Sequence, residues 1–325
     1  LAGGMKSVAS TSTLHLMFMY FGAILAIILA VVKVGGFAEL KSGVAAVETQ
    51  MTEAGKNAGF FNMFTIGFPK VSSWIIASVL GACTAQAGIQ PVLGAKDEAT
   101  AKKASILTAF VVAPFGIFTA FLGIVARVMS YKGTLLDVNG QVVTNGKNAL
   151  YALMMNLSPV AGGIILASIL AAILSTASPI ILASGTMITK DIYQRVFKPD
   201  AADKESLFVS RLTTALSGVV CCVIAILLVN SSKVLDIVYS AYSLRGALFI
   251  IVLYGIFWKR ASSKAACWSM VLTAVAAVAW VAVKAFTGSY PISAGFSDTY
   301  AAVIVAAVST FVLSLIFPRK EMERA

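Results

Sequence analysis

Hydrophobic positions in this chain run on without the breaks that a half-buried helix or strand would show. Eight runs are long enough to cross a hydrocarbon layer as helices: 12–32, 71–95, 105–126, 158–189, 212–230, 234–258, 265–283 and 299–317. A helical span needs about 20 consecutive, mostly apolar residues. Barrel strands would be about half as long and would alternate. A helix also satisfies its own backbone where no water is available. The pattern therefore predicts an all-α polytopic membrane protein with about eight transmembrane helices. Between the runs, residues 40–51 space apolar among polar positions and predict a short amphipathic helix on the outer surface. Turn dipeptides at both ends of 139–146 predict a small hairpin.

Composition agrees: 59% of residues are hydrophobic and 12% charged, and mean hydropathy is +0.90. A globular domain carries about 25% charged residues. The net charge of +11 could suggest nucleic acid, but its placement points to a lipid bilayer instead. Lys6, then Lys96, Lys102 and Lys103, then Lys190, Arg195, Lys198, Lys204 and Arg211 all fall in connections of one parity. Lys259, Arg260, Lys264, Arg319, Lys320 and Arg324 continue the series, so 15 of the 25 basic residues share one side. The positive-inside rule makes that side cytoplasmic. Both ends of the chain are then expected in the cytoplasm, and the protein in the cell membrane. The longer loops 35–70 and 129–157, with 284–298, are expected outside. The first run is a full span followed by others, which does not fit a signal peptide.

Little here supports an enzyme. His15 is the single histidine, and no Gly-rich phosphate loop, HExxH or GxSxG occurs. The four cysteines, Cys83, Cys221, Cys222 and Cys267, sit in predicted spans without metal-ligand spacing and read as small packing residues. The chemistry that stands out is Ser175-Thr176, a hydroxyl pair inside the uncharged run 158–189. Ala172, Ser175 and Thr176 are i, i+3 and i+4, so one carbonyl and two hydroxyls share a helix face. A hard cation such as Na⁺ takes oxygen ligands of this kind. Hydroxyls in membrane helices also bond their own i−4 carbonyl or a neighbouring helix, and spacing alone leaves both readings open.

Four segments together resemble the sodium:solute symporter family. Gly3-Gly4-Met5-Lys6-Ser7-Val8 is similar to its GG-x-K-A-V helix opening. The run from Gln90 to Lys103 is similar to its Q-x-x-L-x-A-K-x-E-x-x-A cytoplasmic loop. Ser175-Thr176 followed by Thr189-Lys190-Asp191-Ile192-Tyr193 resembles its hydroxyl pair and T-x-D-I-Y exit. Phe257-Trp258-Lys259-Arg260, with Ala265 beyond, resembles its F-W-K-R signature. The resemblance implies the leucine-transporter-type inverted-repeat fold, with the second repeat complete and the first mostly missing, as in an N-terminally truncated chain. Residues 1–34 would be the last helix of the first repeat and 35–70 an extracellular loop. Residues 71–258 would be the second five-helix repeat, and 259–325 two peripheral helices with a cytoplasmic tail.

In such folds ligands bind at midplane beside broken helices. The second run is interrupted by Ser78, Gly81, Ala82, Thr84, Gln86 and Gly88, and either unwinding or close helix packing accounts for these residues. By alignment with the family, a substrate-facing gate aromatic would fall at Gly81, which argues against a sugar-type site. Thr11-Ser12-Thr13-Leu14-His15 stands where the family has T-D-x-x-Q, so a carboxylate near the cation route is missing. Arg245 is a further departure, close to mid-membrane in the sixth run. A charge there costs on the order of 2.5–3.5 kcal/mol unless compensated. Its partner is either a substrate carboxylate or a carboxylate on a missing helix, because Asp236 is nine residues away, about 13 Å along the same helix.

These readings imply a secondary active transporter, coupling Na⁺ entry to uptake of a small organic solute, with a carboxylate among the candidates, by alternating access. Na⁺ would lie at Ala172, Ser175 and Thr176, and substrate near Ser78, Gly81, Gln86 and Arg245. No nucleic acid or obligate protein partner is expected. The rivals are a proton-coupled transporter of the same fold, and a transporter-like sensor that moves nothing.

Overall fold

The computed structural model describes residues 4–55, 59, 65–144, 146, 148–228, 234–293 and 295–318. The opening Gly3, the tail beyond Pro318 and the side chain of Asp236 lie outside the described residues. Among those described, every named element is helical. In chain order they are α1 (Gly4–Val34), α2 (Phe37–Glu53), α3 (Phe68–Cys83), α4 (Gln86–Leu93), α5 (Glu98–Tyr131) and α6 (Ala149–Leu157). Then come α7 (Pro159–Met187), a π-helical extension (Ile188–Phe197), α8 (Asp203–Leu228), α9 (Val234–Phe257), α10 (Ser263–Thr287) and α11 (Asp298–Ile316). Among the described residues, eight helical segments are long and apolar enough to cross a membrane, matching the eight runs read from the sequence.

Contacts divide the chain into two compact units, 1–61 with 90–226 and 62–89 with 227–325. In the first, α1 and α7 pack on small residues: the hydroxyl of Ser168 occupies the place a side chain at Gly22 would need. Close approach of backbones substitutes for hydrophobic driving force in lipid. The expected amphipathic helix is α2, which buries Leu40, Gly43 and Val47 at i, i+3 and i+7. Gly43 meets Val128 of α5, and a 2.7 Å Glu39–Lys132 ion pair ties α2 to the turn after α5. Helix α6, which the sequence left inside a loop, buries Ala152, Leu153 and Met154 in the same core as Ala26, Val125 and Ile165. In place of a full hairpin near 139–146 there is one bridge, Leu136 to Val142, closed around an Asp137 carboxylate that accepts from the amides of Asn139 and Gln141.

In the second unit, α9, α10 and α11 meet around Ala247, Ile251, Ala277, Ala302 and Ala306. Hydroxyl pairs join these helices, Ser243 to Thr299 at 2.7 Å and Ser269 to Thr310 at 2.7 Å. The cysteines depart from the expectation of interior packing: all four are exposed in this structure. A span that is apolar on every side gives no sequence sign of which face turns inward.

Candidate functional site

On α7, the two hydroxyls converge on a single carbonyl. Ser175 Oγ donates to Ala172 O at 2.8 Å and Thr176 Oγ1 to the same oxygen at 3.2 Å. The three oxygens share one face, as the i, i+3, i+4 spacing predicts, and the hydroxyls make the back-bonds that the alternative reading named. The two readings coexist physically, because a hydroxyl that donates keeps its acceptor lone pairs. Ser175 Oγ lies 3.9 Å from Met19 Sδ, so this face turns toward α1. Pro179 lies inside α7, four residues after Ser175. It has no N–H to give the Ser175 carbonyl, which leaves that oxygen short of its helical donor. The donor set is hydroxyl and carbonyl oxygen, suited to a hard monovalent ion and not to a transition metal. No cluster of three His, Cys, Asp or Glu side chains that could hold a metal occurs among the described residues. Three oxygens from one helix cannot by themselves enclose an ion.

In the second unit, the second run is broken where its small and polar residues predict. Helix α3 ends at Cys83, Thr84 and Ala85 are non-helical, and α4 begins at Gln86. Thr84 Oγ1 donates to the carbonyl of Arg245 at 2.8 Å, which pins the break to the middle of α9. One turn earlier, a Cβ at Gly81 would lie 2.9 Å from the Tyr242 carbonyl, and a Cβ at Gly246 would lie 3.1 Å from Leu80 Cβ. Gly81 thus serves close packing of α3 on α9, while the unwinding occurs three residues later; each of the two readings of this run holds at its own position. Ser78 and Gln86 are half-buried on either side of the break.

The Arg245 guanidinium lies over the ring of Tyr242, 4.3 Å from its centroid, on the same helix. No carboxylate is within ion-pair distance of it among the described residues. A cation over a phenol ring gains about 2 kcal/mol when desolvated, which offsets much of the cost of its depth. The i, i+3 spacing of Tyr242 and Arg245 could have revealed this pair from the sequence. The bond from Thr84 to α9 joins residues far apart in sequence and could not be read from it.

A set of lipid-length helices, one of them broken where it packs on a neighbouring span, defines a multi-pass membrane protein of the broken-helix type. More particularly, the chain belongs to the sodium:solute symporter family, whose pattern residues 1–273 match. It is 27% identical to a sodium/mannose cotransporter of Bos taurus over 83% of this chain and 49% of that protein. It is 25% identical to a sodium/glucose cotransporter of Vibrio parahaemolyticus over 91% of this chain and 56% of that one. It is 27% identical to a sodium/proline symporter of Escherichia coli over 90% of this chain and 56% of that one. A solved Na⁺-coupled sialic acid symporter, in its substrate-bound outward-open state, superposes with a TM-score of 0.75 at 22% identity. That match covers 98% of this chain and 64% of the symporter, and it shows the leucine-transporter-type fold. The chain spans about half the length of the curated relatives it matches.

Proposed function

We propose that the protein is a Na⁺-coupled symporter that takes up a small organic solute by alternating access at the cell membrane, with its basic connections and both chain ends in the cytoplasm. The observation that carries this reading is the oxygen cluster of Ala172, Ser175 and Thr176 on the face of α7 turned to α1. Relatives whose names are sodium cotransporters of mannose, glucose and proline support Na⁺ as the coupling ion and a small solute as cargo. Residues 71–258 are read as one five-helix repeat, because five of the eight membrane-length segments fall almost wholly within them. In this reading the solute binds at the break, against Ser78, Gly81, Gln86 and Arg245. Arg245 favours a carboxylate there, since guanidinium binds one through two parallel hydrogen bonds. Na⁺ binding would favour the conformer that receives solute, and its release inside would let the solute go.

The test is solute uptake into vesicles at graded Na⁺ concentrations. Ser175→Ala and Thr176→Ala should each raise half-saturating Na⁺ about 10-fold or more, the scale of a lost hydrogen bond to a charged group. Saturating solute affinity should change far less. Unchanged half-saturating Na⁺ in both variants would remove the assignment, and uptake driven equally well by a proton gradient would replace Na⁺ as the coupling ion.

A further inference from the structure

A cavity of about 290 Å³ opens at the N-terminal end of α3, between α9, the end of α10 and the start of α11. It lies at the opposite end of these helices from the basic Phe257-Trp258-Lys259-Arg260 connection. Two lysines line it, and each is held against an aromatic ring instead of a carboxylate. Lys70 Nζ sits 5.2 Å from the Trp74 ring centroid, and Trp74 is stacked on Tyr239. Lys284 Nζ sits 4.3 Å from the Tyr290 centroid and donates to its hydroxyl at 3.1 Å. Among the described residues, the one carboxylate in the lining is Asp298, buried and accepting from Tyr290 Oη at 3.2 Å. The described lining therefore carries one more positive than negative charge.

A third observation is independent of the lysines. Ser297, also in the lining, has a buried Oγ with no hydrogen-bond partner. A buried hydroxyl without a partner is costly, and one turned into the cavity would gain a partner from a ligand held there. The walls are held before anything binds: Trp280 Nε1 donates to the carbonyl of Phe296 at 3.0 Å, and Tyr300 Oη donates to that of Pro69 at 2.9 Å. Lysines at a membrane boundary ordinarily extend into water along apolar stems. These two are exposed as well, but they rim one recess with ammonium donors to spare, since each ammonium has three and a ring face uses none of them in a directed bond.

We propose that this cavity is an anion site, taking a small organic oxyanion between Lys70 and Lys284 with Ser297 Oγ as a neutral donor. A free carboxylate or a lipid headgroup phosphate supplies the same chemistry. The test uses the purified chain in nonionic detergent, titrated with gluconate and with its neutral counterpart sorbitol, while Trp74 emission is followed. Gluconate should give a saturable change that sorbitol does not. The change should weaken at least 10-fold in Lys70→Gln/Lys284→Gln, persist in Arg245→Gln, and vanish in Trp74→Phe. Repeating the titration in phosphatidylglycerol and phosphatidylcholine nanodiscs separates the sources: loss of the gluconate response in the anionic lipid alone identifies a headgroup as occupant. Equal responses to gluconate and sorbitol, no saturable response in either detergent or phosphatidylcholine, or an unweakened response in the double lysine variant would each overturn the site. Circular dichroism and Tm of the lysine variant exclude simple misfolding, since neither exposed ammonium contributes to the packed core.

Discussion

Arg245 is the residue whose surroundings say most. The pairing with Tyr242 within one helix means that its charge is partly compensated without any other element. If it also receives the solute, Arg245→Lys should keep most of the ring interaction and the fold while losing the two-pronged geometry. Half-saturation for a carboxylate solute should then rise about 10-fold, and affinity for an uncharged analogue should stay level. Tyr242→Leu has the opposite signature: folded yield and Tm fall, by the roughly 2 kcal/mol of a desolvated cation–π contact, more than solute affinity does. Equal affinity for charged and neutral solutes across all these variants would remove Arg245 from the binding site. The residue chemistry here was largely legible in the chain. The i, i+3, i+4 oxygens at Ala172, Ser175 and Thr176 follow from helix geometry alone; the Tyr242–Arg245 pair obeys the same geometry, but the sequence reading looked for a carboxylate partner instead. The Thr84 bond and the Gly81 crossing were not legible, because each depends on which face of a uniformly apolar helix meets its neighbour.

At the scale of elements, the same distinction recurs. Span number and approximate limits are set by hydrocarbon thickness and were readable. Helix α6 was not, because nine residues in a polar-flanked stretch carry no period strong enough to mark a helix before its burial against α5 and α7 is known. Helix α2 was readable from its one-sided pattern, and its anchoring carries a pH prediction. The hydrogen bond from Lys132, and then its charge, hold the Glu39 carboxyl below the ordinary glutamate range. A lowered carboxylate contributes full stability above its unfolded pKa and loses it as pH falls through the folded value. Acidification below pH 4–5 should therefore loosen α2. Amide exchange across Phe37–Glu53 should accelerate on acidification, beyond the intrinsic change, in the native protein and not in Glu39→Gln, which should already exchange faster at neutral pH. Identical profiles for the two would show that α2 is held by Leu40 and Val47 alone.

For the whole molecule, orientation is the first quantity to measure. All four native cysteines lie in helices of membrane length, so an impermeant thiol reagent should label single cysteines placed at Asn139 from outside intact cells and at Asp200 only after lysis. The reverse pattern would invert the topology. A larger consequence follows from where the Arg245 charge is held. The residue sits 12 positions before Phe257, the end of α9, which is about 18 Å at the helical rise. Because its ring partner rides on the same helix, any tilt or shift of α9 carries a full elementary charge through the steepest part of the transmembrane field. Moving one charge across the whole potential involves about 2.3 kcal/mol per 100 mV, so an excursion of a fifth of the thickness involves about 0.5 kcal/mol. The protein should thus sense voltage even with no ion or solute bound. Transient currents in Na⁺-free solution should be present in the native protein, retained in Arg245→Lys and lost in Arg245→Gln; currents equal in all three would mean that α9 stays fixed in the field while other helices move.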